Sequence, residues 1–198
     1  MGVFAAWRAG SRWDRGIQIF AALGISVPGF WLGFIFILAF AVYLRWFPVI
    51  GYVSVTEDFT GWIRSITLPV SLLAISGSSV IIRMTRGSIL EVLREDFIRT
   101  ARAKGLANRP VLFRHALRAG AIPIITVIGS LAGALITGVV VTETVFTIPG
   151  LGRLVAETVQ NRDFPVVQSM LMLLASFYVF INLMVDLAYV FFDPRVRL

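Results

Sequence analysis

Charged residues are absent from four long stretches of the chain, residues 17–44, 65–82, 119–142 and 164–185, and gather in the segments between them. These runs are 28, 18, 24 and 22 residues long. A bilayer hydrocarbon core of about 30 Å takes about 20 helical residues at about 1.5 Å each, so three runs are long enough and the second becomes so with Trp62 and Ile63. The pattern predicts an all-α integral membrane protein with four transmembrane helices, at about 17–44, 63–82, 119–142 and 164–192, in one domain over 1–198. Pro28, Pro69 and Pro123 each remove a backbone donor from a span and can bend it. Gly29 and Gly33 in the first span, and Gly129 and Gly133 in the third, stand four apart, a spacing that lets another helix approach closely.

Between the second and third spans, Ile89, Leu90, Leu93, Phe97 and Ala101 recur at helical spacing and predict a helix over 88–104, with Arg94, Glu95, Arg99, Arg102 and Lys104 on its other faces. Gly105 ends it, as the residue that takes positive φ without steric cost. Pro110 then opens a second helical piece over 111–117. After the third span, Pro149-Gly150 supplies turn chemistry ahead of a short amphipathic helix over 154–160. Trp46, Tyr52 and Trp62 in the 45–62 connector are amphipathic rings suited to the membrane interface.

The charge balance, 18 Lys+Arg against 11 Asp+Glu, acquires meaning from its distribution. Arg8, Arg12 and Arg15, eight arginines plus Lys104 in the 83–118 loop, and Arg195 and Arg197 place 14 of the 18 cations on one face of a four-span topology. Arg45, Arg64, Arg153 and Arg162 fall on the other. The positive-inside rule therefore puts both termini and the 83–118 loop of a multi-pass protein in the cytoplasm. That topology accounts for the basic excess without nucleic acid, since only Phe97 and Phe113 are interleaved with the arginines.

Composition then narrows the chemistry. Hydrophobic residues make up 58% of the chain, with a mean hydropathy of +0.85, and there is no cysteine and one histidine, His115. Disulfides, iron–sulfur clusters and a usual zinc site are excluded, and no nucleophile, base and orienting acid are arranged for catalysis. A phosphate-binding P-loop needs Gly-Lys-Ser/Thr, whereas the sole lysine, Lys104, precedes Gly105. The first apolar run is longer than a signal-peptide core and is read as a retained helix. Asp186 is the acid within a span, and Asn182 lies one turn before it. Charges there are costly, so a functional role is the default, with a structural partner or interhelical contact as the alternative.

The run Asp96-Phe-Ile-Arg-Thr-Ala-Arg-Ala-Lys-Gly-Leu106, followed by Arg114-His-Ala-Leu-Arg118 and Ile122-Pro123, resembles the cytoplasmic "EAA" loop of permease subunits of bacterial ATP-binding-cassette importers. Gly105, Ala101 and Leu117 match the general loop. Arg99, Thr100, His115 and Arg118 depart from it in the manner of the dipeptide/oligopeptide/nickel class. Further matches are Ser26-Val-Pro-Gly-Phe-Trp-Leu-Gly33, Arg83-Met-Thr-Arg-Gly-Ser-Ile-Leu-Glu-Val-Leu93, Glu143-Thr-Val-Phe146 with Pro149-Gly-Leu-Gly152, Arg162-Asp-Phe-Pro-Val-Val-Gln168 and Asp193-Pro-Arg195. The resemblance runs through the whole chain and corresponds to the later part of the family pattern, which usually carries two further spanning helices before the equivalent of Met1.

The resemblance implies a type I importer permease fold, multi-pass in the bacterial cytoplasmic (inner) membrane, and a non-enzymatic transport role that moves di- or oligopeptides inward. It implies a second permease subunit, two cytoplasmic ATPase subunits that use the ATP, an external substrate-binding protein and membrane lipid as partners, with no cofactor held by this chain. It also implies that Arg99, Thr100, Ala101, Arg102, Lys104, Gly105 and Leu106 belong to a coupling helix and loop that dock on the ATPase. Glu143, at the outer end of the third span, is a candidate contact for the binding protein or a surface cap. The alternatives are a channel-like or non-transporting scaffold, including an inactive permease fragment, and a membrane-embedded enzyme. The scaffold would tolerate substitution at Gly105.

Overall fold

A computed structural model describes residues 1–49 and 51–192, apart from the side chains of 136, 137 and 188–192. Regular structure among the described residues is helical throughout: α1 (Gly2–Trp7), α2 (Arg12–Ser26), α3 (Gly29–Phe36) continued as a π-helical segment Ile37–Tyr43, α4 (Phe59–Val92), α5 (Asp96–Ala103), α6 (Asn108–Pro110) continued as a π-helical segment Val111–Ala116, α7 (Leu117–Ala119), α8 (Ala121–Phe146), α9 (Leu151–Gln160) and α10 (Phe164–Phe192). Asp193 and Arg195 lie outside the described residues.

Two helices, α4 and the Phe164–Leu187 part of α10, are long and apolar enough to cross a membrane, and three bent helix pairs raise the number to as many as five. The run 17–44 is interrupted, because α2 stops at Ser26 and α3 starts at Gly29. Pro28 supplies the physical reason, since it disfavours helical backbone at Val27 and presents no N–H. α4, by contrast, continues through Pro69. Of the run 119–142, residues 121–142 fall in α8, whose first part meets the 108–119 helical segment at 58° and whose last part meets α9 at 85°.

Contacts divide the chain into two compact units, one of Met1–Ile25, Gly77–Leu131 and Ile181–Leu198, the other of Ser26–Ser76 and Ala132–Phe180. In the first, Ala6, Ile89, Ile98, Ala101, Val111, Leu112 and Ala116 form a buried cluster. α1 reaches α4 through its small face. A Cβ on Gly2 would sit 2.7 Å from the Thr85 Cβ and 2.8 Å from the Ile82 carbonyl oxygen. The Ser88 hydroxyl donates to the Gly120 carbonyl at 3.0 Å, fixing α4 against the junction of α7 and α8. Gly129 meets Val185 of α10, where an added Cβ would come within 2.6 Å of Val185 Cγ2.

The second unit is centred on Ala41, Leu68, Leu72 and Phe146, with Phe36, Phe40 and Val145 among the partly buried residues around them. Gly33 packs at ordinary to tight distance on Val145 and Leu72, and Gly133 lies against the Tyr178 ring, whereas Gly29 has open space around it. Gly29 is the first residue of α3, before the helix reaches its neighbours. The apolar helices also carry hydroxyls whose hydrogen bonds stay inside the helix. Thr67 donates to Ile63 O at 2.6 Å, Ser71 to Thr67 O at 2.6 Å, Ser130 to Thr126 O at 3.0 Å and Ser176 to Met172 O at 2.8 Å. Such back-bonding satisfies each hydroxyl locally, so these residues mark no polar pathway by themselves.

Candidate functional site

The segment after α4 is built from a break, a short amphipathic helix and a left-handed stop. The helix expected over 88–104 is two elements, because α4 ends at Val92 and α5 begins at Asp96, with Glu95 extended (φ −66°, ψ 149°) between them. Arg94 and Glu95 donate backbone N–H to Glu91 and Val92 carbonyls, tightening the end of α4 before the chain turns. This interruption resets the helical phase. Ile98 and Ala101 point into the cluster with Ile89, while Phe97 is 47% exposed instead of lying on the apolar face read from continuous spacing.

α5 closes as expected on Gly105, at φ +81°. Leu106 N–H bonds to Ala101 O at 3.3 Å and Gly105 N–H to Arg102 O at 2.9 Å. These are the paired bonds of a Schellman motif, which satisfies carbonyls that a helix end otherwise leaves without partners. The second helical piece starts earlier than expected, at Asn108, with Pro110 in its first turn where a missing N–H removes no helical bond. Val111, Leu112 and Ala116 then join the cluster.

One face of α5 is therefore committed to the protein and the other is open. Ala101, grouped above with the docking residues, is instead buried in the cluster and not presented on this face, whereas Arg99, Thr100, Arg102, Lys104, Gly105 and Leu106 are exposed. Phe97, Leu106 and Phe113 are exposed apolar residues among the exposed Arg94, Arg99, Arg102, Arg109 and Arg114. Arg99 pairs with Asp96 at 3.2 Å, but both side chains are well exposed, and such a pair adds little stability. The outer face of α5 and the residues after it are thus exposed, basic and partly apolar, while its inner face is buried.

One polar arrangement went unread in the sequence, and a second gives the already noted Glu143 partners that the sequence did not show. Asp14 is buried and accepts both Arg86 Nε, at 2.6 Å on Oδ1, and an Arg86 terminal nitrogen, at 2.8 Å on Oδ2. Gly10 N–H donates to Oδ2 at 2.8 Å, and Asp14 N–H donates to Ser11 Oγ at 3.2 Å. The available signal was the spacing Ser11-Arg-Trp-Asp14, that of a helix-capping box, with a single acid among Arg8, Arg12 and Arg15. The second is Glu143. Its Oε2 accepts the Arg153 N–H at 2.8 Å, in the first turn of α9. A Cβ on Gly150 would overlap this carboxylate, and one on Gly152 would lie 2.6 Å from Val140 Cα. The Pro149-Gly-Leu-Gly152 run is thus what permits α9 to sit with its N-terminus over α8. α9 begins at Leu151, three residues ahead of the expected start.

On α10, Asn182 is half-buried and Asp186 is exposed, and among the described residues Asp186 forms no ion pair.

The described residues form a helical chain with two helices long and apolar enough to cross a membrane, and comparison with known families gives the class. Residues 1–198 match the family described as binding-protein-dependent transport system inner membrane component, and the chain belongs to it. It is 50% identical over 196 residues to a probable peptide ABC transporter permease protein of Sinorhizobium fredii, with 99% of this chain and 63% of the relative covered. It is 41% identical over 216 residues to a di/tripeptide transport system permease protein of Pseudomonas aeruginosa, covering 99% and 64% respectively. An oligopeptide transport system permease protein of Bacillus subtilis is 40% identical over 198 residues, again with 99% of this chain and 63% of the relative covered. The chain thus spans just under two-thirds of the length of these relatives.

Proposed function

We propose that this chain is part of the permease subunit of an ATP-driven importer that moves di- or oligopeptides inward across the bacterial cytoplasmic membrane. A second permease subunit completes the pathway, two ATPase subunits hydrolyse the ATP, and an external binding protein delivers the peptide. In this reading α2 with α3, α4, α8 and α10 supply four spans, both described ends face the cytoplasm, and α5 with Gly105 and Leu106 docks on the ATPase. The carrying observation is α5 itself, whose Ile98 and Ala101 are fixed in a core while its arginines and Leu106 stay exposed. A helix so anchored moves as a rigid body with whatever grips its outer face. The peptide class is supported by the names of the relatives.

The test is co-purification in detergent with the ATPase and second-permease subunits, followed by uptake of labelled dialanine in proteoliposomes loaded with ATP and supplied with the binding protein. We expect ATP-dependent uptake by the parent assembly and at least tenfold weaker ATPase retention for Gly105→Pro and Arg102→Glu. Equal retention of ATPase by all three chains would refute the coupling role of α5, and hydrolysis without uptake of any di- or tripeptide tried would refute the cargo.

A further inference from the structure

The Asp14–Arg86 pair, its carboxylate buried and its guanidinium side chain 26% exposed, is more polar than its place in the fold requires. Asp14 is 3% exposed, and its carboxylate is used by two guanidinium nitrogens and one backbone N–H. A buried ion pair recovers little more than its desolvation, and well-packed apolar side chains commonly stabilise a fold as well. What a two-pronged Arg–carboxylate pair adds is a single fixed geometry. Here it fixes the first turn of α2 to one place on α4. That place is the turn that also seats α5, since Arg86 and Ile89 are three residues apart and lie on one face, and Ile89 packs with Ile98 and Ala101 of α5. Ser88, between them, holds the Gly120 carbonyl.

We infer that Asp14 and Arg86 are positioning residues that lock α2 to the body carrying α5, so that displacement of α5 is passed to α2 instead of being absorbed at the end of α4. The inference rests on the coupling role proposed above for α5. Loss of the lock uncouples, so that ATP is still hydrolysed but drives less transport. A purely structural pair would lower assembly, hydrolysis and uptake together.

The chain contains no cysteine, so the lock can be replaced by a reversible covalent one. The assembled importer carrying Asp14→Asn, Arg86→Gln or the double variant Asp14→Cys/Arg86→Cys, with partners freed of cysteine, is reconstituted and scored for labelled dialanine taken up per ATP hydrolysed. Each variant is expected to hydrolyse ATP within twofold of the parent and to show an uptake-to-hydrolysis ratio at least fivefold lower. Bridging the two cysteines with a short bis-thiosulfonate reagent should restore the ratio to within twofold, and a reductant should abolish it again. The inference is overturned if assembled variants keep the parent ratio, if uptake and hydrolysis fall in parallel, or if the bridged chain is no better than the reduced one. Variants that fail to assemble even when bridged overturn it as well, since the pair is then a folding determinant. Gly105→Pro serves as the control. If it leaves ATPase retention and the ratio unchanged, the α5 reading fails independently of the lock.

Discussion

Two glycines show that the same residue type is required for opposite reasons. Gly105 sits at φ +81° with nothing within 4 Å of where a Cβ would stand, so a side chain there would meet backbone strain and no clash. Left-handed backbone costs an ordinary residue about 1–2 kcal/mol, and asparagine less. Gly105→Ala is therefore expected to lower stability by about 1 kcal/mol, with Gly105→Asn recovering more than half of that. Thermal unfolding midpoints in one detergent would give the order. Equal midpoints for Ala and Asn would mean that positive φ is not the constraint. Gly150 is the reverse case, with an ordinary φ of −126° and the Glu143 carboxylate where its Cβ would be. Gly150→Ala should destabilise the parent but do little in a Glu143→Ala background, a coupling of about 0.5–3 kcal/mol expected of residues in contact. Strict additivity of the two substitutions in the same unfolding assay would remove Glu143 as the cause.

At the scale of the element, the two faces of α5 separate folding from docking. Ile98 is 0% exposed within the cluster, and deleting its outer atoms should cost about 2–5 kcal/mol. Arg102 is exposed, and Arg102→Ala should change stability by no more than about 0.5 kcal/mol. The expected result is a lowered unfolding midpoint for Ile98→Ala and an unchanged midpoint with weakened ATPase retention for Arg102→Ala. A large loss of stability in the arginine variant would place that side chain in the fold instead. This element also shows how far the sequence could be read. The glycine stop was legible because positive φ nearly demands glycine, and Ala101 was correctly placed on the apolar face. The break at 93–95 was not, because apolar spacing continues across it and no proline or glycine announces it. Phe97 was misassigned for that reason. The Asp14–Arg86 lock was equally hidden, since 72 residues separate its partners and only the fold brings them together.

At the scale of the whole molecule, the topology turns on α2 and α3. Each has too few residues to cross about 30 Å of hydrocarbon at about 1.5 Å per residue, even when the π segment is added to α3. The pair is therefore either one broken span or a re-entrant element, and the two place the following connector on opposite sides. Charge favours the span, because Arg45 and Arg64 then lie apart from the three arginines at 8, 12 and 15. The absence of cysteine makes this testable with single introduced thiols at four exposed neutral or connector positions, Ala9, Thr56, Ala103 and Glu157. In intact cells a membrane-impermeant maleimide should label Thr56→Cys and Glu157→Cys, and should reach Ala9→Cys and Ala103→Cys only after permeabilisation. A re-entrant α2–α3 pair would protect Thr56 together with Ala9, and α4 would then carry Ala103 to the outside. That pattern would remove α5 from the compartment where ATP is used, and with it the coupling role proposed for its exposed face.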